Sequence, residues 1–199
     1  MKEERQGIDR VRTVCVYCGS SAGNDPSYGA AAERLGRLLG EQGLRVINGA
    51  GASGLMRVLS DAVLKAGGTV TGIIPRFMLE KGWCHSGLTE VIRTETMHER
   101  KKQMAALSDA VVALPGSYGT MEELMEIITW RQLELYRGEV IVLNINRYYD
   151  PLLAMLRRAK EEGFLHDCHV AIAQIVQTPE EAVALILRQS FNRHSSVKD

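Results

Sequence analysis

The sequence predicts an α/β fold: a Rossmann-like, doubly wound, mostly parallel sheet with helices on both faces. Three observations predict it. Short β-rich runs alternate with helical patterns along the 199 residues, which implies right-handed βαβ crossovers. Two runs, residues 110–114 and 140–144, are continuously apolar, as in strands buried on both faces. The glycine-rich stretches fall after strands and before helices, the edge at which such sheets bind ligands.

The elements follow in order. Residues 11–17 are β-rich and lead into the turn-rich stretch Cys18-Gly-Ser-Ser-Ala-Gly-Asn-Asp-Pro26. Asp25 before Pro26 reads as N-cap and first helical residue, and the helix runs toward Gly43. Residues 44–47 are a second strand, 49–54 a glycine-rich loop, and a helix from about residue 55 ends at Gly67-Gly68. Residues 69–74 form a third strand closed by Pro75. The pattern is then lost over residues 76–87, the longest irregular segment. A short strand at 90–94 and a helix at 97–107 precede the strand 110–114. The loop 115–119 opens a long helix to about residue 135. After the strand 140–144, Asp150-Pro151 starts a helix that stops at Gly163. A strand at 172–176 leads to Thr178-Pro179-Glu-Glu, a helix start, and a closing helix to about residue 190. One domain over 1–199 is expected, with 1–11 and 191–199 as polar tails.

Composition narrows the function classes. Lys plus Arg and Asp plus Glu both number 24, so the formal net charge is zero. Neither a nucleic acid nor a membrane is expected as partner, and an anionic ligand must be met by a local site. No apolar run approaches the ~20 residues of a membrane span. Residues 1–12 lack the apolar core of a signal peptide, so a cytoplasmic location is expected. Four cysteines then need only a reducing compartment. Cys15 and Cys18 form a C-x-x-C pair, but Cys15 sits inside a strand pattern rather than at a helix start. A zinc site would recruit Cys168 with His166 or His169, without the two spaced ligand pairs of structural zinc. Neither a metal nor a cofactor is expected.

Three strand-to-helix loops carry the candidate chemistry: Gly19-Ser20-Ser21, Gly49-Ala-Gly-Ala-Ser-Gly54 and Pro115-Gly-Ser-Tyr-Gly-Thr120. In the third, Gly116 and Gly119 permit close backbone approach, and the N–H groups of a helix starting near Thr120 make an anion site suited to phosphate. Ser117 and Thr120 can add hydroxyl donors. The same spacing also fits a plain capping box, Thr120 with Glu123. Ser20 and Gly51 stand in the first two loops as candidate substrate contacts. The second loop matches G-x-G-x-x-G, but its next strand ends Gly72-Ile-Ile-Pro-Arg76 without the acid that would hold a ribose, which disfavours a dinucleotide oxidoreductase. Met97-His-Glu-Arg-Lys-Lys102 is a cationic helix start, either a solvated face or a source of one cation for the cleft. His85 and His98 show no partner in the sequence, and surface or capping roles are expected.

Met97-His-Glu-Arg-Lys101, Leu114-Pro-Gly-Ser-Tyr-Gly-Thr-Met-Glu-Glu123 and Ile128-Thr-Trp-Arg-Gln-Leu133 closely resemble the Lonely Guy family of cytokinin riboside 5′-monophosphate phosphoribohydrolases, long labelled "possible lysine decarboxylase". The resemblance continues through Asn144-Ile-Asn-Arg-Tyr-Tyr-Asp-Pro-Leu152 to Glu162-Gly-Phe164. It implies an N-glycosidase acting on an adenosine 5′-monophosphate, N6-modified or plain AMP, that yields free base and ribose 5-phosphate. By position it implies that Arg100 and Glu123 are catalytic. Lys101, Ser117, Tyr118, Gly119, Thr120, Met121, Glu122 and Thr129 would contact the nucleotide, with Glu80 a further contact and residues 76–87 the seat of base specificity. It also implies a homodimer that buries part of the long helix with Trp130. Three positions depart from the family pattern: Ala50 and Ser117 replace glycines, and Arg57 stands where another glycine is common. The alternative reading is a non-catalytic nucleotide binder or carrier on the same fold. A decarboxylase would need pyridoxal phosphate on a Schiff-base lysine, and Lys65, Lys81 and Lys101 have no context for it.

Overall fold

The computed structural model describes residues 11–192; the expected tails lie almost wholly outside them. Seven strands form one sheet in the order β4-β3-β2-β1-β5-β6-β7, and every neighbouring pair is parallel. The strands are β1 (Thr13–Tyr17), β2 (Arg45–Asn48), β3 (Thr69–Pro75), β4 (Glu90–Thr94), β5 (Ala110–Ala113), β6 (Glu139–Leu143) and β7 (Ala173–Val176). The expected "mostly parallel" sheet is therefore wholly parallel among the described residues.

Side chains alternate across the sheet, so each central strand feeds two cores. Val14 and Val16 of β1 face one cluster, shared with α1 (Pro26–Glu41), α2 (Gly54–Lys65) and α8 (Pro179–Asn192). Cys15 and Tyr17 face the other, built with α4 (Met97–Ala106) and α5 (Tyr118–Gln132). Helices thus cover both faces, as doubly wound folds require. The connections run outward in opposite directions from β1 and β5, and that switch point opens a crevice at the strands' carboxyl ends.

Local chemistry sets the helix starts. Asp25 caps α1 by accepting from the Ser27 N–H at 2.9 Å, with Pro26 at the first helical position. Thr96 caps α4, accepting from the Glu99 N–H at 3.1 Å. α5 differs from expectation: it begins at Tyr118 with Ser117 as N-cap. Thr120 and Glu123 therefore lie inside the helix, 4% and 8% exposed, and do not form the capping box. The segment expected to be irregular contains α3 (Arg76–Glu80), whose side chains are not buried. α6 (Asp150–Glu161) follows β6 as expected, and the short α7 (Asp167–Val170) precedes β7. The Cys168 side chain, needed for the zinc reading, lies outside the described residues.

Candidate active site

The loops after β1, β2 and β5 meet over the crevice. The Gly19 N–H donates to the Pro115 carbonyl at 3.0 Å, and the Met56 N–H donates to the Gly19 carbonyl at 3.3 Å. Ser53 Oγ donates to the Ser20 carbonyl at 2.9 Å. Gly54 sits at φ +61, and a Cβ there would run into the Ser20 backbone; only glycine fits this crossing. The second loop is covered in turn by residues 83–85. The Ala52 N–H donates to the Trp83 carbonyl and the His85 N–H to the Ala50 carbonyl, both at 2.9 Å. His85 is not partnerless: Nδ1 accepts from the Gly87 N–H at 3.0 Å, and Nε2 lies 2.9 Å from Asp61 Oδ1.

These loops enclose a cavity of about 590 Å³. Ser20, Gly51, Arg100, Ser117, Gly119, Thr120 and Glu123 all line it, so the fold brings seven of the sequence-derived candidates together. Arg100 is 7% exposed. Its Nε donates to the Ile73 carbonyl at 3.0 Å and its Nη2 to the Gly49 carbonyl at 3.4 Å. Nη2 also lies 3.8 Å from Glu123 Oε1. The guanidinium is thereby aimed by two strand-end carbonyls. A Cβ on Gly49 would fall on its Nη2, which is why the second loop starts with glycine.

Burial pushes the Glu123 carboxyl up to about 7, against the opposing pull of Arg100 and with a further push from the Glu122 charge. Desolvation wins because a charge removed from water loses more than one partner at 3.8 Å returns. Glu123 therefore exchanges its proton near neutrality, the range suited to a general base or acid. Cys18 also lines the cavity, but burial and then the Glu123 charge push its thiol far up; it is a wall, not a nucleophile.

Other candidates sit elsewhere. Lys101 is buried but turned away, its Nζ paired with Glu122 and, at 3.2 Å, with Glu126. Desolvation works against its charge, yet the hydrogen bonds to both acids outweigh it and the ammonium is held above its usual range. Thr129 Oγ1 donates to the Met125 carbonyl at 2.8 Å on the outer face of α5. Glu80 is exposed and 4.0 Å from Arg76. Tyr118, Met121 and Glu122 are exposed on the first turns of α5 and do not line the cavity. No lysine lines it among the described residues, so the decarboxylase chemistry has no amine here. Sequence reasoning missed the apolar wall of Met56, Ile74, Met78, Trp83 and Met97. Met78 and Trp83 do come from the segment expected to hold specificity, and Met56 lies on the first turn of α2, just past the second loop.

The family model described as "Possible lysine decarboxylase" matches residues 56–186. The chain belongs to this family, Lonely Guy. A probable cytokinin riboside 5′-monophosphate phosphoribohydrolase of Oryza sativa subsp. japonica is 47% identical over 156 residues, which are 78% of this chain and 63% of that protein. A cytokinin riboside 5′-monophosphate phosphoribohydrolase of Arabidopsis thaliana is 41% identical over 182 residues, covering 92% of this chain and 84% of the relative. The chain thus spans a little under two thirds of the rice relative and most of the Arabidopsis one. Among solved structures, the molybdenum cofactor binding protein from the phototrophic bacterium Rippkaea orientalis has a TM-score of 0.67 at 23% identity, over 89% of this chain and 96% of that one. At that identity the likeness concerns the fold. This member of Lonely Guy carries its cavity on the loop set described above.

Proposed function

We propose that this chain hydrolyses the N-glycosidic bond of an adenosine 5′-monophosphate, N6-modified or plain AMP, to free base and ribose 5-phosphate. The observation that carries the reading is the buried Arg100–Glu123 pair, 3.8 Å apart, facing a cavity lined by three glycine-bearing loops. The relatives' activity gives that pair a substrate.

The chemistry follows from the charges. Breaking the C1′–N9 bond sends its electron pair to the base and leaves positive charge on the ribose. The Glu123 carboxylate stabilises that charge and takes a proton from the water whose oxygen bonds to C1′; that proton passes to the departed base, which completes the free base and restores the carboxylate. Arg100 faces the developing negative charge and favours the ionised form of Glu123. The phosphate belongs at the N-terminus of α5, where the Ser117, Gly119 and Thr120 region lines the cavity. The base belongs against Met56, Ile74, Met78, Trp83 and Met97, an apolar wall suited to an adenine with an apolar N6 substituent.

Two further features accompany the reading. A homodimer is supported by the outward face that begins on α5, where Met121, Met125, Leu133 and Leu135 are 37%, 37%, 60% and 71% exposed. A dimer mass by light scattering is the expected result, and a monomer at micromolar concentration refutes it. A cytoplasmic setting fits the free thiols of Cys15, Cys18 and Cys84.

The activity is tested by chromatography after incubation with AMP and, separately, isopentenyladenosine monophosphate. Free base and ribose 5-phosphate are expected from at least one, with none from Glu123→Gln. Binding without release from the unsubstituted chain would favour a carrier instead.

A further inference from the structure

The segment after β6, Asn144-Ile-Asn-Arg-Tyr-Tyr-Asp150, takes no part in the chemistry above, yet it is built into the third loop. Three consecutive carbonyls leading into that loop, Leu114 to Gly116, each accept one hydrogen bond from a different donor. Tyr149 Oη donates to Leu114 O at 2.7 Å, the Gly19 N–H to Pro115 O at 3.0 Å, and Tyr148 Oη to Gly116 O at 2.5 Å. The donor at Gly116 is the last before α5 begins.

We propose that Tyr148 is a positioning residue for the phosphate end of the substrate, fixing the Gly116–Ser117 peptide so that its N–H serves the anion. The inference rests on the hydrolase reading only for where the phosphate sits. In a trans peptide the carbonyl and the following N–H point in opposite directions. With Gly116 O turned to Tyr148, the Ser117 N–H points the other way, and Ser117 is the residue that lines the cavity. Gly116 is a glycine, so nothing intrinsic to its backbone prevents the peptide from turning over. Turned over, it would present a carbonyl dipole to a phosphate in place of a donor.

The phenol is itself held in place. Its ring meets Tyr149 and Tyr28 edge-on, at centroid distances of 5.1 and 5.9 Å. The backbone around it is fixed by two asparagines. Asn144 accepts from the Tyr149 N–H at 2.7 Å and donates to Asp150 Oδ1 at 2.9 Å. Asn146, at φ +50, donates to Asp25 Oδ2 at 2.9 Å and Ser27 Oγ at 2.6 Å, at the start of α1. A hydroxyl delivered by packed rings and a braced turn has one place to go, and Gly116 O is there.

Tyr148→Phe keeps the ring packing and removes only the donor. The test measures the Kd for ribose 5-phosphate by calorimetry, and kcat and KM for AMP, isopentenyladenosine monophosphate and the phosphate-free nucleoside adenosine. The expected result is a rise of about three- to tenfold in Kd for ribose 5-phosphate and in KM for the nucleotides, the range given by one lost hydrogen bond. kcat stays within about twofold and kcat/KM for adenosine is unchanged, because that loss is uniform binding at the phosphate. An unchanged Kd for ribose 5-phosphate, or an equal loss on nucleotide and nucleoside, overturns the role. Should the unsubstituted chain release no base yet bind ribose 5-phosphate more tightly than Tyr148→Phe by that factor, the hydrolase reading falls and the positioning role stands.

Discussion

Glutamine at position 123 removes a buried charge while keeping the shape of the side chain, and the structure fixes what that does to stability. Burial pushes the Glu123 carboxyl from 4.5 up to about 7, with Arg100 pulling the other way and Glu122 adding to the rise. A carboxyl whose folded pKa is raised contributes stability that is complete below its unfolded pKa and is lost as pH rises through the folded one. The window therefore runs from about 4.5 to about 7. About 2.5 units at 1.36 kcal/mol each is a cost of about 3 kcal/mol for the ionised form at pH 8. Glutamine mimics the protonated acid and escapes that cost. The attraction to Arg100 is already contained in the balance, since it opposes the rise and loses to desolvation. For a chain of this size about 3 kcal/mol corresponds to a Tm increase of roughly 6–12 °C. The assay is thermal melting of both proteins from pH 5 to pH 8. Glu123→Gln is expected to melt higher at pH 8, with the gap shrinking below about 1 kcal/mol at pH 5. A variant that melts at or below the unsubstituted chain at pH 8, or a gap that ignores pH, would mean that the Arg100 pair outweighs burial and that Glu123 is ionised well below neutrality.

Other consequences follow from the same geometry. With Glu123 acting as base, kcat/KM for the nucleotide is expected to fall about tenfold per pH unit below about 7 and to level off above it; a profile flat from pH 5 to 8 would exclude that role. Gly49→Ala places a methyl on the Arg100 Nη2 position, so turnover is expected to drop by roughly hundredfold from a displacement of about an ångström. Its circular dichroism spectrum should remain native, and near-normal turnover would show that the Arg100 placement is not needed.

The sheet was legible because parallel strands buried on both faces must be apolar along their whole length, as Val111, Val112, Val140 and Ile141 are, each 0% exposed. The turns were legible where one residue does a local job, as Asp25 does for α1. The candidate site was legible in its loops and in Arg100 and Glu123, which the family resemblance supplied and which line one cavity. What escaped was non-local. Lys101 stands beside Arg100 on α4, and nothing near it in sequence says that its amine turns to Glu122 and Glu126, 21 and 25 residues on. Residues 76–80 form a helix without buried side chains, so no apolar period marks it. Thr120 and Glu123 have capping-box spacing, yet the helix starts at Tyr118 and turns both inward. The apolar wall combines three methionines, an isoleucine and a tryptophan from four separate segments, a pattern that exists only once the chain is folded.

Ala50, Arg57 and Ser117, the three positions that depart from the expected family pattern, sit in different surroundings. Arg57 is exposed on α2 and lies 3.4 Å from Asp61, outside the cavity lining. Ser117 takes φ −96 as the N-cap of α5, an extended conformation open to any L-residue, so glycine is not needed there. Ala50 is the strained one, at φ +62, where an L-side chain costs roughly 1–2 kcal/mol. Its methyl does not enter the cavity. It is 1% exposed and occupies the space beside Gly72 that a Cβ on Gly72 would need. Burial of that methyl offsets about 0.8 kcal/mol of the strain, and the Ala50 N–H donates to Asn48 Oδ1 at 2.9 Å. The strain is thus held by β2 and β3 rather than by the cavity, and the space between Arg100, Glu123 and the third loop is not narrowed by it.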